Sequence, residues 1–294
     1  MKLQQAVKTW STPVSAGEGR VIPCILCEGH NFKPALKCEG FTYVRCTGCG
    51  LVQMNPQPVT ETVLDRYEKN YGSDYLAYEL ENEKSFLKLQ QLALRDAGFE
   101  DLEKELLISA AENRKPPSVM DIGCATGAML HYLAKRGWNV SGVEISPSGE
   151  YARSKRRIKV SSLPLEENHY EAGSYDVILA SHLIEHLNNP ASLVNEVFRL
   201  LKPGGHFFVT TPNIAGFQAK LYRSRWRSAI FDHLYLFSIK TLKALLEKTG
   251  FKIEKTCTWG GLAAGIAPAW LKKAADRAVK PLNQGDVMII RAVR

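Results

Sequence analysis

The chain has 294 residues, of which 45% are hydrophobic and 23% charged, and its formal net charge is +8. These proportions are close to those of globular domains and exclude disordered, collagen-like and coiled-coil chains. The positive charge is concentrated near the C-terminus, where residues 217–294 contain 15 basic and five acidic side chains. Such a region either attracts an anionic partner (a phosphate, nucleotide, acidic lipid or RNA) or is an ordinary solvated surface, and composition leaves both open.

No segment is typical of a membrane span or of a secretory leader. The longest nearly uncharged stretch, 259–271, has 13 residues, which is too short to cross about 30 Å of hydrocarbon. The first 20 residues lack the apolar core of a signal peptide. We therefore expect a cytoplasmic protein without a transmembrane segment. The sequence leaves open a peripheral membrane contact through the basic C-terminal region.

The N-terminal residues 1–58 are expected to form a small zinc-binding module. Two C-x2-C pairs, separated by 18 residues, contain four of the seven cysteines: Cys24, Cys27, Cys46 and Cys49. This spacing is typical of a four-cysteine zinc site with a closed, structural shell. The residues between the pairs predict a two-stranded ribbon too small to fold without its metal. Cys38 and His30 are weaker ligand candidates, and four buried free thiols are the alternative.

The rest of the sequence predicts helices first, then alternating strands and helices. Residues 59–116 are expected to form a helical linker or lid, with a tyrosine-rich joint at Tyr71, Tyr75 and Tyr78 and a helix over 80–97. Residues 117–294 predict a doubly wound α/β sheet. Its predicted strands are 118–123, 138–144, 175–180, 206–211, 251–258 and 287–293, and its predicted helices are 128–136, 147–156, 191–201, 242–248 and 271–278.

A glycine-containing loop, Asp121-Ile-Gly-Cys-Ala-Thr-Gly127, joins the first of these strands to its helix. Gly123 and Gly127 allow a sharp turn and the close approach of a ligand. The Asp121 carboxylate suits an ammonium group. Glu144 follows at the end of the next strand, where it can accept hydrogen bonds from both hydroxyls of a ribose. Together the two acids indicate a ligand that contains adenosine.

These motifs resemble those of the class I, Rossmann-like S-adenosylmethionine-dependent methyltransferases, whose first motif is D-x-G-x-G-x-G. Residues 174–178 and 200–205 resemble the family's S-F-D-V-V and L-L-K-P-G-G segments. The segment Ser-His-Leu-Ile-Glu-His at 181–186 resembles the H-x-x-E-H of a subfamily that includes ubiquinone-biosynthesis O-methyltransferases and sugar-modifying enzymes. Residues 49–56 resemble the end of a four-cysteine module found in some of its members.

The resemblance implies a seven-stranded, mostly parallel sheet over about residues 118–293 and S-adenosylmethionine as the cofactor. Ala125 departs from the motif, because the family usually has its middle glycine there, and its methyl group is expected to crowd the methionine end of the cofactor. The residues expected to bind the cofactor are Asp121, Gly123, Cys124, Gly127, Glu144, Ile145, Leu163, Ser181 and, from the helical region, Tyr75.

Two histidines are candidates for a catalytic base, which methyl transfer needs when the acceptor is a hydroxyl or a carbon acid. His182 follows the third predicted strand of the sheet, at the edge where open α/β sheets bind ligands, and is the first candidate. His233, in a segment that resembles the subfamily's H-L-x-x-F, is the second. His186 is expected to hold Glu185 or backbone in place. The alternative is that these histidines are only structural.

The favoured function is methyl transfer to a hydroxyl or carbon of a small-molecule acceptor that is sugar-, quinone- or lipid-like. An RNA methyltransferase is the first alternative and would show a binding affinity that falls steeply with salt. A non-catalytic, zinc-dependent interaction protein is the second. The segment Arg223-Ser-Arg-Trp-Arg227 could grip a phosphate and stack on a ring, bind RNA, or be a solvated loop.

Overall fold

The computed structural model describes residues 19–58, 73–261 and 268–294. The predicted start of the helical region at residue 59, and Tyr71, lie outside these residues. The strands are β1 (Gly19–Arg20), β2 (Phe32–Lys37), β3 (Thr42–Cys46), β4 (Val52–Met54), β5 (Gln57–Pro58), β6 (Ser118–Ile122), β7 (Asn139–Val143), β8 (Lys159–Ser161), β9 (Tyr175–Ser181), β10 (Leu201–Pro212), β11 (Tyr235–Leu236), β12 (Lys252–Trp259) and β13 (Val287–Val293). The helices are α1 (Ser73–Asp96), α2 (Phe99–Asn113), α3 (Ala128–Ala134), α4 (Ser148–Arg156), α5 (Pro190–Leu200), α6 (Phe217–Tyr222), α7 (Ile239–Thr249) and α8 (Ala269–Val279).

A seven-stranded sheet in the order β8–β7–β6–β9–β10–β13–β12 is the centre of the fold. Neighbouring strands from β8 to β10 are parallel, and β13 runs antiparallel to both β10 and β12. The order reverses between β6 and β9, so their carboxyl ends flank the crevice where doubly wound sheets bind ligands. This sheet confirms the predicted fold class.

The sequence pattern identified six of the seven strands and missed β8, which has only three residues. Helix α2 was also missed. Its buried side chains are Phe99, Leu102 and Glu103, so a charged residue stands at an apolar position of the helical pattern. Glu103 is buried because it accepts hydrogen bonds from Arg136 and from the indole of Trp138. The six-residue helix α6 was likewise too short to be predicted.

Local signals set the ends of the helices that pack on the sheet. The side chain of Asn189 accepts a hydrogen bond from the Ser192 amide at the start of α5, and Ser238 and Thr241 form a reciprocal capping box at the start of α7. Helix α7 ends at Gly250, whose φ of 113° is in the left-handed region. These caps agree with the predicted helices to within three residues.

The N-terminal ribbon is larger than the predicted two strands. It is a four-stranded sheet in the order β11–β4–β3–β2. Strand β11 comes from residues far along the chain, with Tyr235 opposite Gln53 and Leu236 opposite Val52. The ribbon and one face of the large sheet also share a single hydrophobic core. The two strands predicted between the cysteine pairs are β2 and β3, which pair antiparallel. Strands β4 and β11 were not predicted, because local patterns cannot show a sheet that includes a strand from a distant part of the chain.

Candidate active site and cysteine cluster

The four predicted zinc ligands come together in the ribbon. The sulfur atoms of Cys24, Cys27, Cys46 and Cys49 all lie within 4.8 Å of one another. Two backbone turns present them: the Glu28 amide donates to the Cys24 carbonyl at 2.7 Å and the Gly50 amide to the Cys46 carbonyl at 3.0 Å. Four thiolates at this separation can converge on one tetrahedral ion with metal–sulfur distances of about 2.3 Å. The donor set therefore fits Zn²⁺.

The cysteine cluster is connected to the loop that contains His233. The hydroxyl of Tyr43, on β3, lies 2.7 Å from the carbonyl oxygens of both Ile230 and His233. The Met54 amide, on β4, donates to the Leu234 carbonyl at 2.8 Å. Tyr43 is completely buried. The ribbon thus fixes the backbone on both sides of His233.

Replacing Tyr43 with phenylalanine is expected to lower the free energy of unfolding by about 1–3 kcal/mol, because the buried His233 carbonyl loses its hydroxyl donor. The Ile230 carbonyl still accepts a hydrogen bond from the His233 amide at 3.1 Å. Chemical denaturation measures this value. The control is Tyr132→Phe, since Tyr132 is only half-buried and its ring contact with Arg136 does not need the hydroxyl. Equal stability of Tyr43→Phe and the parent chain would show that the hydroxyl does not hold this loop.

The glycine loop follows β6 directly, as predicted. Gly127 has a φ of 73°, and a Cβ there would lie 2.9 Å from the Ala152 Cβ, so both backbone and space require glycine. Ala125 also has a positive φ, of 48°. The left-handed conformation favours the glycine that the family has at this position, and it costs alanine about 1 kcal/mol.

Two buried carboxylates lie behind this loop. The Glu144 carboxylate accepts hydrogen bonds from the amides of Ala125 at 2.9 Å and Ser146 at 2.8 Å. Asp121 is 3% exposed, and its Oδ1 has no hydrogen-bond partner in the structure. Burial, and then the charge of Glu144, raise the pKa of Asp121 to about 8. A buried carboxylate with an unused oxygen is suited to receive a cationic ligand group.

Helix α1 contributes side chains to the same place. Glu83 accepts a hydrogen bond from Thr126 at 2.9 Å, and Gln90 donates to the Ser181 hydroxyl at 3.3 Å. Glu79 is 8% exposed and accepts a hydrogen bond from Ser148. These residues were not predicted, although their spacing places them on one face of a helix. The helix begins at Ser73, earlier than the predicted residue 80.

A cavity of about 150 Å³ lies between α1 and the loop. Of the predicted cofactor residues, Asp121, Gly123, Cys124 and Ser181 line it. Gly127, Glu144, Ile145 and Leu163 are not among its lining residues; Ile145 and Leu163 are 37% and 48% exposed at the ends of β7 and β8. Tyr75 is within α1, but its side chain lies outside the described part of the structure.

A larger cavity, of about 410 Å³, lies at the opposite edge of the sheet, near Ser118, Asn139 and Lys202. Lys202 is already paired with Asp176 at 2.7 Å. This cavity is at the amino ends of the parallel strands, away from the loop. We therefore assign the site to the smaller cavity, which is at the edge where such sheets bind ligands.

A cluster of histidines around one carboxylate lies beyond Ser181. Glu185 is 1% exposed, and its Oε1 is 3.4 Å from Nδ1 of His182. Burial alone would raise the pKa of Glu185, but His182, His186 and His233 lower it to about 2. Burial, and then His186, lower the pKa of His233 to about 3, so its imidazole is neutral. The structure thus brings both predicted base candidates to the same carboxylate.

The two candidates differ in exposure. The side chain of His182 is 51% exposed, whereas His233 is 8% exposed and its Nδ1 lies 2.8 Å from the Ser228 carbonyl oxygen. Since a carbonyl only accepts hydrogen bonds, this Nδ1 carries the proton. His182 is therefore the candidate that a substrate can reach, and His233 is held inside the protein.

The hypothesis that Trp226 stacks on a ligand was wrong. Trp226 is 2% exposed, and its indole donates to Asp286 at 2.5 Å. Arg227 donates to the other oxygen of Asp286 at 2.6 Å. A buried carboxylate requires hydrogen-bonding partners, so these two bonds hold residues 226–227 next to Asp286, the residue before β13. Arg223 and Arg225 are exposed.

Part of the C-terminal positive charge is paired within the fold. Lys248 lies 3.6 Å from Glu28, Lys280 lies 2.5 Å from Asp96, and Arg291 lies 2.7 Å from Glu254. Paired cations attract an anionic surface less strongly. The unpaired positive charge that residues 217–294 present to a partner is therefore smaller than their composition suggests. None of the helices in the described residues is both long and apolar enough to cross a bilayer.

Comparison with known proteins agrees with this geometry. A family model described as "methyltransferase domain" matches residues 93–256, more than half of the chain. A ubiquinone biosynthesis O-methyltransferase from Acinetobacter baumannii is 34% identical over 103 residues, which are 32% of this chain and 44% of that protein. The enzyme of the same name from Cronobacter sakazakii is 31% identical over 105 residues, which are 32% of this chain and 42% of that protein. The match thus spans less than half the length of these relatives. A SAM-dependent methyltransferase structure from Thermotoga maritima is 22% identical, covers 74% of this chain and 97% of its own, and has a TM-score of 0.50.

The chain belongs to the methyltransferase-domain family, and its fold is that of the class I S-adenosylmethionine-dependent methyltransferases. The cofactor suggested by this fold fits the site, because the unpartnered oxygen of Asp121 offers an acceptor to a cationic group beside a glycine turn.

Replacing Glu144 with alanine is expected to weaken the binding of S-adenosylhomocysteine by about 1.5–3 kcal/mol, or roughly ten- to a hundredfold. The Ala125 amide of the glycine loop and the Ser146 amide after β7 lose their acceptor, and a bound ribose would lose one as well. Isothermal titration measures the affinity. Glu150→Ala, on the exposed side of α4, is the matched control and should bind normally. Unchanged affinity of Glu144→Ala would refute the assignment of Glu144 to the cofactor site.

Proposed function

We propose that this chain transfers a methyl group from S-adenosylmethionine to a hydroxyl oxygen of a small-molecule acceptor. The observation that carries the proposal is the position of His182. It directly follows Ser181, which lines the cavity beside the glycine loop, and its Nδ1 is 3.4 Å from a buried carboxylate. An imidazole oriented by a carboxylate is a common general base.

The cofactor would be held by residues of the glycine loop and its neighbours. Asp121 would receive the ammonium group, Glu144 the ribose hydroxyls, and Ile145 and Leu163 would cover the adenine. When bound, the cofactor supplies an electrophilic methyl group on a sulfonium. The cavity of about 150 Å³ is smaller than the about 300–1,000 Å³ of typical ligand pockets. Glu144, Ile145 and Leu163 are not among its lining residues, so the adenosine part of the cofactor would lie outside it, along the ends of β7 and β8.

His182 would accept the proton of the acceptor hydroxyl. With that proton on His182, the acceptor oxygen would be the nucleophile for the methyl group that the bound cofactor supplies, and His182 would later release the proton to water. Glu185 keeps the imidazole oriented and stabilises its charged form. Most of the remaining rate enhancement comes from holding oxygen and methyl in line in a site that excludes water.

The class of acceptor is supported by the relatives and by the structure. The named relatives are O-methyltransferases of ubiquinone biosynthesis, which makes hydroxylated quinone precursors the first compounds to test, followed by sugars and lipid-linked phenols. An RNA acceptor is less well supported, because Trp226 and Arg227 are engaged with Asp286.

We further propose that the cysteine cluster binds a structural Zn²⁺. Its four sulfurs leave no open coordination position for a substrate. Its contribution to function would be indirect, through the hydrogen bonds that Tyr43 and Met54 make to the loop around His233.

The test is transfer of a labelled methyl group to a panel of catechols, hydroxylated sugars, lipid-linked phenols and RNA. The proposal expects labelled product from at least one hydroxylated small molecule, with the label on oxygen, and no product from O-methylated forms of that compound. Labelling of RNA alone, with an affinity that falls steeply with salt, would overturn it.

A further inference from the structure

We propose that Lys37, Arg223 and Arg225 form a binding site for the phosphate or diphosphate group of the acceptor. Lys37 is at the end of β2 in the ribbon, and the two arginines are in the turn that follows α6. Guanidinium groups donate paired hydrogen bonds to phosphate oxygens, and an ammonium group adds a point charge. That the bound phosphate belongs to the acceptor rests on the proposed methyl transfer, whereas the binding itself does not.

The ribbon and the arginine-containing turn are in direct contact. The sulfur atom of Cys38 lies 3.9 Å from the carbonyl oxygen of Ser224 and 4.0 Å from that of Ala229. Ser224 stands between the two arginines in the sequence, and Cys38 directly follows Lys37. All three cationic residues are therefore immediate neighbours of the two residues that make this contact.

The charges of these three residues are available to a ligand. All three are exposed, and within the part of the chain that the structure describes their side chains have neither an ion pair nor a hydrogen bond. Arg227, by contrast, is paired with Asp286 at 2.6 Å. Residues 37–39 and 223–232 together contain four basic and two acidic side chains. The surface they form thus has a net positive charge, which attracts a phosphate.

The backbone of Arg223 is held in a conformation that favours glycine. Its φ is 50° and its ψ is −119°, a combination that a residue with a Cβ atom rarely adopts. The turn is fixed in place, because the Trp226 amide donates to the Arg223 carbonyl at 3.0 Å and the Trp226 ring is buried against Asp286. Unfavourable backbone of this kind is found preferentially at ligand-binding sites. The arginine therefore occupies a position where the fold alone would favour glycine.

The site is close to the proposed base. Arg225 is three positions before Ser228, so their Cα atoms are at most about 11 Å apart. The Ser228 carbonyl accepts the hydrogen bond from His233 at 2.8 Å, and the residue after His233 donates its amide hydrogen to the Glu185 carbonyl at 2.7 Å. Glu185 in turn lies 3.4 Å from His182. An acceptor could therefore place its hydroxyl at His182 while its phosphate meets the arginines.

The experiment is calorimetric titration of the full chain, with its cysteine cluster loaded with zinc, using inorganic pyrophosphate. We expect one equivalent to bind. Arg223→Gly and Arg225→Ala should each weaken this binding about tenfold, since each removes hydrogen bonds to a charged group, and the double variant should show no measurable binding. Arg223→Gly also suits the backbone, so it should fold normally. Arg157→Gly is the matched control, because Arg157 is an exposed arginine with a φ of 56° outside the site, and it should bind normally.

Competition identifies the source of the phosphate. Displacement of pyrophosphate by uridine diphosphate would assign the site to a soluble phosphorylated acceptor, and displacement by vesicles that contain phosphatidic acid would assign it to a lipid phosphate. Displacement by RNA alone, or by none of these, would overturn the inference. So would a parent chain that binds no pyrophosphate, a double variant that binds it as the parent does, or an equal loss in Arg157→Gly.

The outcome of this titration is separate from that of the methyl-transfer test, because it uses neither cofactor nor turnover. Zinc content and circular dichroism show whether each variant is folded. A chain that binds pyrophosphate but methylates no compound of the panel would refute the methyl transfer and leave the phosphate site. A chain that methylates a hydroxylated compound but binds no pyrophosphate would refute only the phosphate site.

Discussion

Replacement of His182 by asparagine is expected to reduce turnover about 10²–10⁴-fold while leaving the affinity for S-adenosylhomocysteine within about twofold. The reason is that the variant loses the group that accepts the acceptor's proton but none of the residues around the glycine loop. Asparagine is chosen because His182 has a φ of 53°, and asparagine tolerates this left-handed backbone better than alanine. Steady-state kinetics with a labelled cofactor, together with calorimetry, measure both quantities.

The control for this substitution is His169→Asn. His169 is exposed and has a left-handed backbone like that of His182, with a φ of 51°. His169→Asn therefore makes the same side-chain change on the same type of backbone, but outside the site. Its turnover should be normal. If His182→Asn also turns over at the parent rate, His182 is not the base. The less exposed His233 would then be the next residue to test.

Removal of the metal from the cysteine cluster is expected to unfold the ribbon and to abolish most activity. Binding of a structural zinc contributes about 10–16 kcal/mol to the folding of small zinc domains. Loss of the ribbon removes β4 from β11 and Tyr43 from the loop around His233. Hydrogen exchange should therefore rise both in residues 19–58 and in residues 230–236.

Cofactor binding is expected to survive this treatment. Cys124 and Met129, in and after the glycine loop, belong to a hydrophobic core with α1 and α2, whereas the ribbon packs into the other core. The variant that tests this is Cys46→Ser, with Cys38→Ser as the control outside the cluster. Normal zinc content in Cys46→Ser, or unchanged exchange in residues 230–236, would contradict the account of the ribbon.

The sequence was most informative where local chemistry alone determines structure. Asp121, Gly127 and Glu144 occupy the turn and strand end that their spacing predicted, and the four cysteines meet because each pair needs only a tight turn. These features depend on few neighbouring residues. The buried parallel strands were recognised from their continuous apolar runs for the same reason.

The features that were missed depend on contacts between distant residues. Pairing of β11 with β4 joins Tyr235 to Gln53, and no local pattern identifies a two-residue strand. A ligand-binding role for Trp226 stayed open at the level of sequence because its partner, Asp286, is 60 positions away. The role of α1 was also hidden, since Glu79 and Glu83 resemble ordinary surface residues until the cavity beneath them is known.

Titration of the purified chain with S-adenosylhomocysteine tests the central claim most directly. The account predicts one equivalent bound per chain with a dissociation constant in the micromolar range, lost or strongly weakened in Glu144→Ala and preserved in Glu150→Ala. A folded parent chain that binds no S-adenosylhomocysteine, or that binds it equally well without the Glu144 carboxylate, would contradict it.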